Sequence, residues 1–262
     1  MKLKGIWKYI IAVLIFTLTT VMLAVLGHKA KAEYKEITCS GIKVEIAEQD
    51  GLNFVTVGDV KEYIAGGYGN CSGKRLEEID LARIEEILDG KSAILKSEAY
   101  TTRDGILHII ITQRVPVVRL VSGRGGWYAD SEGYLFPLQK NYTSRVPIVD
   151  GSIPLNIKSG FKGTPATAVE RQWLGGILDL VDFLSRNRRW DDAIAQIHVN
   201  GNCHVIIVPR KGREKFYMGR PEEFEKKFAK IENYYRYIVP EKGQDAYSYV
   251  NVSFDGQIVC RK

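Results

Sequence analysis

The stretch from Gln113 to Leu138 constrains the fold most, because its backbone pattern changes within a few residues. The β-branched and apolar residues that lead into it predict a β-strand over 106–121. The glycine-rich segment 122–126 then interrupts that strand. Aromatic residues on both sides of Asp130 and Gly133 follow, which is typical of a short hairpin. Two differently built units are therefore expected to meet at this stretch.

The residues ahead of this stretch predict the element order β-α-α-β-β. Asp104-Gly105 lies between two apolar segments, and this dipeptide is a strong signal for a tight hairpin. Thr56 is a candidate N-cap for the first helix. The predicted elements are a strand over 33–47, helices over 57–68 and 77–88, and strands over 94–101 and 106–121. Two helices must cover one face of a three-stranded sheet to form a core in so small a unit.

The residues after the stretch predict a mostly antiparallel β unit with two flanking helices, so the expected fold class is α+β. Thr164-Pro165 is expected to open a long helix with proline in its first turn, where the missing N–H is tolerated. Asn200-Gly201 and Asp255-Gly256 are turn signals between strands. The predicted strands cover 127–129, 134–136, 145–150, 193–199, 203–208, 216–218, 246–254 and 257–260, and the second helix covers 221–237.

Residues 9–27 form an apolar run without a charged side chain. At about 1.5 Å per residue such a helix spans about 28 Å, close to the thickness of a bilayer core. The sequence therefore predicts a cytoplasmic tail over 1–8, a single transmembrane helix over 9–27 and a linker over 28–35. A cleaved signal peptide is the alternative, because Ala30-Lys31-Ala32 matches a small-x-small cleavage site. The length of the run favours the retained anchor.

Composition and motifs argue against an enzyme and against a nucleic-acid-binding protein. The net charge of +6 comes from lysines and arginines that are scattered rather than clustered. The sequence has no phosphate loop and no Gly-x-Ser-x-Gly motif. Asp191-Asp192 is better explained as a turn cap than as a catalytic carboxylate pair. We therefore predict no active site, no cofactor and no small-molecule substrate.

Histidine and cysteine supply candidate metal ligands near one turn. Two-residue pairing around Asn200-Gly201 would set His198 opposite Cys203, with His204 beside it. A closed zinc site needs four ligands, and the sequence has no Cys-x-x-Cys pair. We therefore predict no metal.

The four cysteines have long, irregular spacings. If the chain is exported, they meet an oxidising compartment. A Cys39–Cys71 bridge in the first unit, a Cys203–Cys260 bridge in the second, and free buried thiols all stay open.

Three short motifs follow one another along the chain: Gln113-Arg114-Val115-Pro116-Val117-Val118, then Tyr128 to Phe136, then Pro147 to Gly151. They resemble three motifs of the FtsQ/DivIB family of bacterial cell-division proteins. These are a Glu/Gln-Arg-x-Pro-Val-Ala-like strand that ends the family's POTRA domain, an aromatic-x-x-Asp-x-x-Gly-x-x-Phe hairpin, and a Pro-x-Val/Leu-x-Gly step. The resemblance covers nearly the whole chain. It implies a POTRA domain over 36–121 and a β-domain over 122–262.

The resemblance also implies a function. It indicates a non-enzymatic scaffold of the bacterial inner membrane at the division septum, with a cytoplasmic N-terminus and the bulk of the chain in the periplasm. The implied partners are the division proteins FtsB and FtsL, and through them the septal peptidoglycan synthase. The alternative is a periplasmic or secreted POTRA-bearing module of a secretion or assembly system.

The last long strand is the predicted partner-binding element. Its aromatic and β-branched residues favour a strand, and a partner would explain why an unprotected edge persists. The resemblance implies that FtsB adds a strand to this edge by β-augmentation. The alternative is that the tail 257–262 folds back over it as a hairpin. The predicted partner-binding residues are Tyr247, Ser248, Tyr249, Val250, Asn251, Val252, Ser253 and Phe254.

Overall fold

The computed structural model describes residues 13–26, 36–48, 51–139 and 142–262. Its contacts divide the chain into two compact units. The first unit comprises Met1–Glu48 and Val55–Gln113, and the second comprises Gln49–Phe54 and Arg114–Lys262. Each unit has its own sheet, so each is described by itself.

Helix α1 covers 13–26, and its side chains are exposed. Within the part of the chain that the structure describes, no helix combines the length and the apolar character needed to cross a membrane. The predicted tail 1–8, the linker 28–35 and both ends of the predicted 9–27 anchor lie outside the described residues.

The first unit has the predicted β-α-α-β-β order. Its elements are β1 (Gly41–Ile46), α2 (Val57–Gly67), α3 (Leu81–Asp89), β2 (Ile94–Thr101) and β3 (Ile106–Gln113). The sheet order is β1-β3-β2, with β1 parallel and β2 antiparallel to the central strand. Alternate residues of β3 are buried. The helix and strand side chains that form the core include Val60, Ile64, Ile84, Leu88, Leu107, Ile109 and Ile111.

The first unit's helices begin where polar side chains cap them. Thr56 caps α2: its hydroxyl accepts the Asp59 N–H, and the Asp59 carboxylate accepts the Thr56 N–H at 2.8 Å. The second helix was expected from residue 77, but α3 begins at Leu81. The Asp80 carboxylate accepts the Arg83 N–H at 3.0 Å, and residues 76–78 form a separate 3₁₀ turn.

The strand predicted over 106–121 is two strands in two sheets. β3 ends at Gln113, and β4 (Pro116–Ser122) belongs to the second unit. Pro116 has no N–H to donate, and the β4–β5 register shifts between Pro116 and Val118. The break between the units therefore comes before Pro116, ahead of the glycine-rich segment at which the sequence predicted it.

The second unit is built on one nine-stranded sheet. Its order is β12-β11-β10-β9-β8-β7-β4-β5-β6, and five of the eight strand pairings are antiparallel. The sheet is therefore mostly antiparallel, as predicted. Besides β4, its strands are β5 (Gly125–Asp130), β6 (Leu135–Pro137), β7 (Ile148–Gly151), β8 (Ile194–Val199), β9 (Val205–Pro209), β10 (Lys215–Gly219), β11 (Tyr249–Asn251) and β12 (Val259–Arg261).

One face of this sheet carries the core. Residues paired directly across six neighbouring strands are all buried, and they lie in one row: Leu120, Val149, Ile197, Ile207, Phe216 and Val250. The row packs in one cluster with residues of α4 (Ala168–Arg186) and α6 (Phe224–Asn233). Two shorter helices, α5 (Arg188–Asp191) and α7 (Val239–Lys242), complete the unit.

Both long helices start later than the sequence suggested. α4 begins after Thr167 rather than at Pro165, because Thr167 and Glu170 form a reciprocal capping box. α6 begins at Phe224 because Glu223 has a left-handed backbone with φ of 53°. It ends at Asn233, where a π-helical turn over Tyr234–Ile238 replaces the α-helix that was expected to continue.

Glu170 makes the start of α4 sensitive to pH. Its carboxylate accepts the N–H of Asn156 at 2.6 Å and the N–H of Thr167 at 3.0 Å. The Asn156 N–H, then the Thr167 hydroxyl and N–H, hold the pKa of Glu170 below its usual range. A carboxyl group whose pKa is lower in the folded state stabilises the fold above its unfolded pKa, near ~4.3, and loses that contribution as pH falls through the folded pKa.

We expect Glu170→Gln to lower the free energy of unfolding of the second unit by about 1–3 kcal/mol at pH 7. The difference from the parent protein should shrink as pH falls below ~4. Urea unfolding followed by tryptophan fluorescence measures this, because three of the four tryptophans, Trp127, Trp173 and Trp190, lie in the second unit. Glu225→Gln, at an exposed position of α6, is the matched control. A difference that stays constant with pH would contradict the assignment.

Candidate partner-binding edge

The segment predicted to be an open edge is an interior strand. β11 (Tyr249–Asn251) pairs with β10 in parallel on one side and with β12 antiparallel on the other. The prediction of an exposed edge at 247–254 is therefore wrong, and the alternative hairpin is confirmed. The chain turns where Gly256 adopts a φ of 69°, which L side chains rarely adopt, and it returns as β12.

β12 is the terminal strand on this side of the sheet. It pairs inward with β11, so that Val259 faces Asn251 and Arg261 faces Tyr249. The strand order of the described residues places nothing on its outer side. The main-chain groups that point outward there are a template on which another strand can pair.

The opposite edge of the sheet is differently arranged. β6 (Leu135–Pro137) is the terminal strand there, but Leu135 exchanges two main-chain hydrogen bonds with Gly163, at 2.8 and 2.9 Å. That edge is therefore partly occupied by the chain itself. β12 is the better candidate for accepting a partner strand.

The eight predicted partner-binding residues have different environments. Val250, Asn251 and Val252 are buried, and Tyr247, Tyr249 and Ser253 are partly buried. Ser248 is exposed, and Phe254 is 49% exposed at the turn that leads into β12. The buried residues of this segment thus hold β12 in place, and Phe254 exposes apolar surface beside it.

Helix α6 and the β10 end hold this segment in place. The Lys230 ammonium donates to the main-chain carbonyls of Val252, at 3.2 Å, and of Phe254. Val252 donates its N–H to the Tyr217 carbonyl at 3.1 Å. Gly219, with φ of 70°, lies so close to Ser253 that an added Cβ would stand 3.0 Å from the serine Cβ. The turn before β12 is therefore fixed from two sides.

Aromatic side chains continue the surface beside the edge. The rings of Tyr217 and Tyr249 lie 5.8 Å apart, and the Arg261 guanidinium lies 6.0 Å from the Tyr249 ring. Burial, and then the neighbouring Tyr217, raises the pKa of Tyr249. Tyr249 therefore stays a neutral hydrogen-bond donor at physiological pH. A partner at this edge would meet the Arg261 cation and the neutral phenol of Tyr249.

The sequence predicted most of β12 as a strand, but it assigned the edge to the strand before it. Val259, Cys260 and Arg261 form the edge, although the strand over 257–260 was expected. The turn signal at Asp255-Gly256 was sufficient to find them.

His198 and His204, the histidines beside this turn, are not arranged as metal ligands. His198 faces Ile206 instead of Cys203, and its Nδ1 lies 2.8 Å from the Asp150 carboxylate. The predicted two-residue turn is wrong, because the Asn200 side chain accepts the His204 N–H at 3.0 Å and so closes a longer loop. Among the described residues, no three metal-binding side chains come close enough to hold an ion.

Comparisons with known proteins match both units of the chain. A family model described as FtsQ/DivIB, C-terminal related, matches residues 115–261. A model of a POTRA-like domain matches residues 37–112. No curated protein matches the chain.

The fixed position of Val252 gives a test of how the edge is supported. We expect Val252→Pro to lower the free energy of unfolding of the second unit by about 3 kcal/mol or more, because proline removes the N–H that bonds the Tyr217 carbonyl. Val252→Ala keeps that N–H and should cost clearly less. Urea midpoints read by tryptophan fluorescence compare the two variants, and equal losses would contradict a structural role for this main-chain bond.

Proposed function

Because the chain belongs to the FtsQ/DivIB family, we propose that it is a non-enzymatic scaffold of bacterial cell division that binds the division proteins FtsB and FtsL. Through them it links to the septal peptidoglycan synthase. The observation that carries the binding mode is the open outer side of β12, which stands at one end of a nine-stranded sheet. Family membership also favours this role over a POTRA-bearing module of a secretion system.

The binding mode is β-augmentation at β12. A strand of FtsB pairs with the outward main-chain groups of Val259–Arg261. This main-chain pairing gives affinity and fixes the orientation of the partner strand, but it selects little for the partner's sequence. Selectivity then comes from neighbouring side chains. Phe254 is half exposed next to the edge, and Arg261 offers a charge to an acidic group of the partner.

The predicted partner-binding segment keeps a part in this proposal. Tyr247, Ser248, Tyr249 and Phe254 retain accessible surface, while Val250, Asn251 and Val252 position the edge from inside. An aromatic anchor in a contact of this kind often carries a large share of the binding energy. Phe254 is therefore the side chain whose removal matters most.

Membrane placement completes the proposal. The charge-free run 9–27 anchors the chain in the inner membrane, with 1–8 in the cytoplasm and 28–262 in the periplasm at the septum. Support comes from the length of the run and from the family's membership of the division machinery. An anchored scaffold presents β12 to partners on the exported side.

We expect Phe254→Ala to weaken binding of the exported segment of FtsB about tenfold, which corresponds to ~1.4 kcal/mol. Pull-down titration with the purified chain measures this. Val169→Ala is the control, since Val169 is 76% exposed on α4 and its truncation removes apolar surface outside the proposed edge. Equal affinity of the Phe254→Ala and parent proteins would remove Phe254 from the interface.

Proline at β12 separates main-chain pairing from side-chain contact. Successive N–H groups in a strand point to opposite edges, so one of Val259→Pro and Cys260→Pro removes an outward donor and the other an inward one. The outward variant should bind FtsB weakly and keep its unfolding midpoint. If neither variant binds less tightly, the partner docks elsewhere.

The anchor makes a separate prediction. The mature protein should keep residues 1–32 and fractionate with the inner membrane, because the apolar run is long enough to span it. Intact-mass measurement of the protein from membranes checks this. A mature N-terminus at Glu33, with the protein in the soluble periplasmic fraction, would show that a signal peptide had been removed.

A further inference from the structure

Two cysteines of the first unit are brought together by the backbone. Cys39 precedes β1, and Cys71 lies in the loop between α2 and the 3₁₀ turn at Leu76–Glu78. Thr38 and Arg75 form an antiparallel bridge. Beside it, Cys39 donates its N–H to the Lys74 carbonyl and accepts the Gly73 N–H, both at 2.8 Å. The loop therefore lies directly against Cys39.

A turn brings Cys71 close to the residues that bond Cys39. The Lys74 N–H donates to the Cys71 carbonyl at 3.2 Å, so residues 71–74 form a four-residue turn. Such a turn keeps its end residues within about 7 Å of each other at Cα. Cys39 bonds the last two residues of the turn, and Cys71 is its first residue. The two side chains thus occupy one small region of the unit.

Both thiols are buried there and lack strong partners. Cys39 is 2% exposed and Cys71 is 1% exposed. Their sulfur contacts are long ones to backbone carbonyls, at 3.5 Å from Cys39 to Gly41 and 4.0 Å from Cys71 to Gly69. Burial, and then the charge of the neighbouring Cys39, raises the pKa of the Cys71 thiol. Two buried, free thiols therefore lie in one region of the first unit's core.

The other two cysteines provide a built-in comparison. Cys260 is on β12, and Cys203 is in the turn that leads into β9. β10 and β11 separate those strands, so the spacing across the sheet is about 14 Å. A disulfide needs Cα atoms within about 7 Å. The Cys203–Cys260 bridge that the sequence left open is therefore excluded.

We propose that Cys39 and Cys71 form a disulfide that fastens the 69–75 loop to the segment before β1. The oxidant is a disulfide, either in a protein oxidant or in a small molecule such as oxidised glutathione. One cysteine thiolate attacks the glutathione disulfide and releases one glutathione thiol. The second thiolate then attacks the mixed disulfide and releases the other, so two protein thiols become one S–S bond. Burial makes this step a folding event rather than a later modification.

The bond closes a loop of about thirty residues that contains β1 and α2. Closing a loop of that size restricts the unfolded chain, and the folded unit gains stability from this. Both cysteines lie in the first unit, away from β12, so the proposal stands whether or not the chain binds FtsB. An oxidising compartment simply favours the bonded form.

Thiol counting in the full chain tests the proposal. The protein is denatured, refolded with oxidised and reduced glutathione, quenched with acid, freed of glutathione by gel filtration, and titrated with Ellman's reagent in neutralised guanidinium. We expect two titratable thiols without dithiothreitol and four after full reduction. A peptide map under non-reducing conditions should join the fragments that contain Cys39 and Cys71. Four thiols in the unreduced sample, or a joined pair other than these two, would overturn the proposal.

Matched serine variants distinguish the pairs. Cys71→Ser should leave three free thiols, because its loss frees Cys39, whereas Cys203→Ser should leave one. Reduction of the parent protein should lower the melting temperature of the first unit by roughly 5 °C or more. Backbone amide exchange, measured at increasing temperature, follows the unfolding of that unit. Reduction should not shift the melting temperature in the Cys39→Ser/Cys71→Ser double variant. If reductant shifts the melting temperature equally in the parent and the double variant, the bond is refuted.

Discussion

The ion pair between Arg114 and Asp130 organises the second unit. The Arg114 guanidinium lies 2.9 Å from the Asp130 carboxylate, both side chains are almost fully buried, and the guanidinium stacks 3.5 Å from the Tyr134 ring. The other oxygen of Asp130 accepts the N–H groups of Glu132 and Tyr134 and so forms the β5–β6 turn. Breaking such a pair leaves an uncompensated buried charge, which costs about 3–5 kcal/mol. The preceding residue, Gln113, makes a corresponding contact within the first unit. Its side-chain carbonyl accepts the Val55 N–H at 2.9 Å. Two consecutive side chains thus fix the end of one unit and the start of the next.

Local chemistry made much of this fold predictable. The β-α-α-β-β order followed from Thr56, from the apolar stripes and from Asp104-Gly105, because each of these signals acts within a few residues. The helix starts were misplaced where a nearby cap was overlooked. The prediction placed the start of α4 at Thr164-Pro165. The reciprocal hydrogen bonds of Thr167 and Glu170 decide where α4 begins. The division of 106–121 into two strands could not be seen in the same way. Both halves are apolar, and only the partners of each strand distinguish them.

The candidate edge shows where sequence reasoning ends. The residue types of 247–254 predicted a strand there. They did not predict which strands pair with it. β10 and β11 pair in parallel, so their contact depends on the path of α6 between them, which no local pattern reveals. The same limit applies to His198. Its partner Asp150 lies on β7, and only the parallel β7–β8 pairing brings the two together.

The unequal ends of the second unit's sheet limit how many partner strands that sheet could accept. Strand pairing that is open at both edges allows each molecule to join two neighbours, and such assemblies grow without limit. Here the Leu135–Gly163 bonds occupy part of one end, while β12 leaves the other open. A partner strand added at β12 therefore terminates the assembly instead of extending it. Among the described residues, the second unit's sheet thus leaves one end fully open, and this favours a defined stoichiometry over a filament.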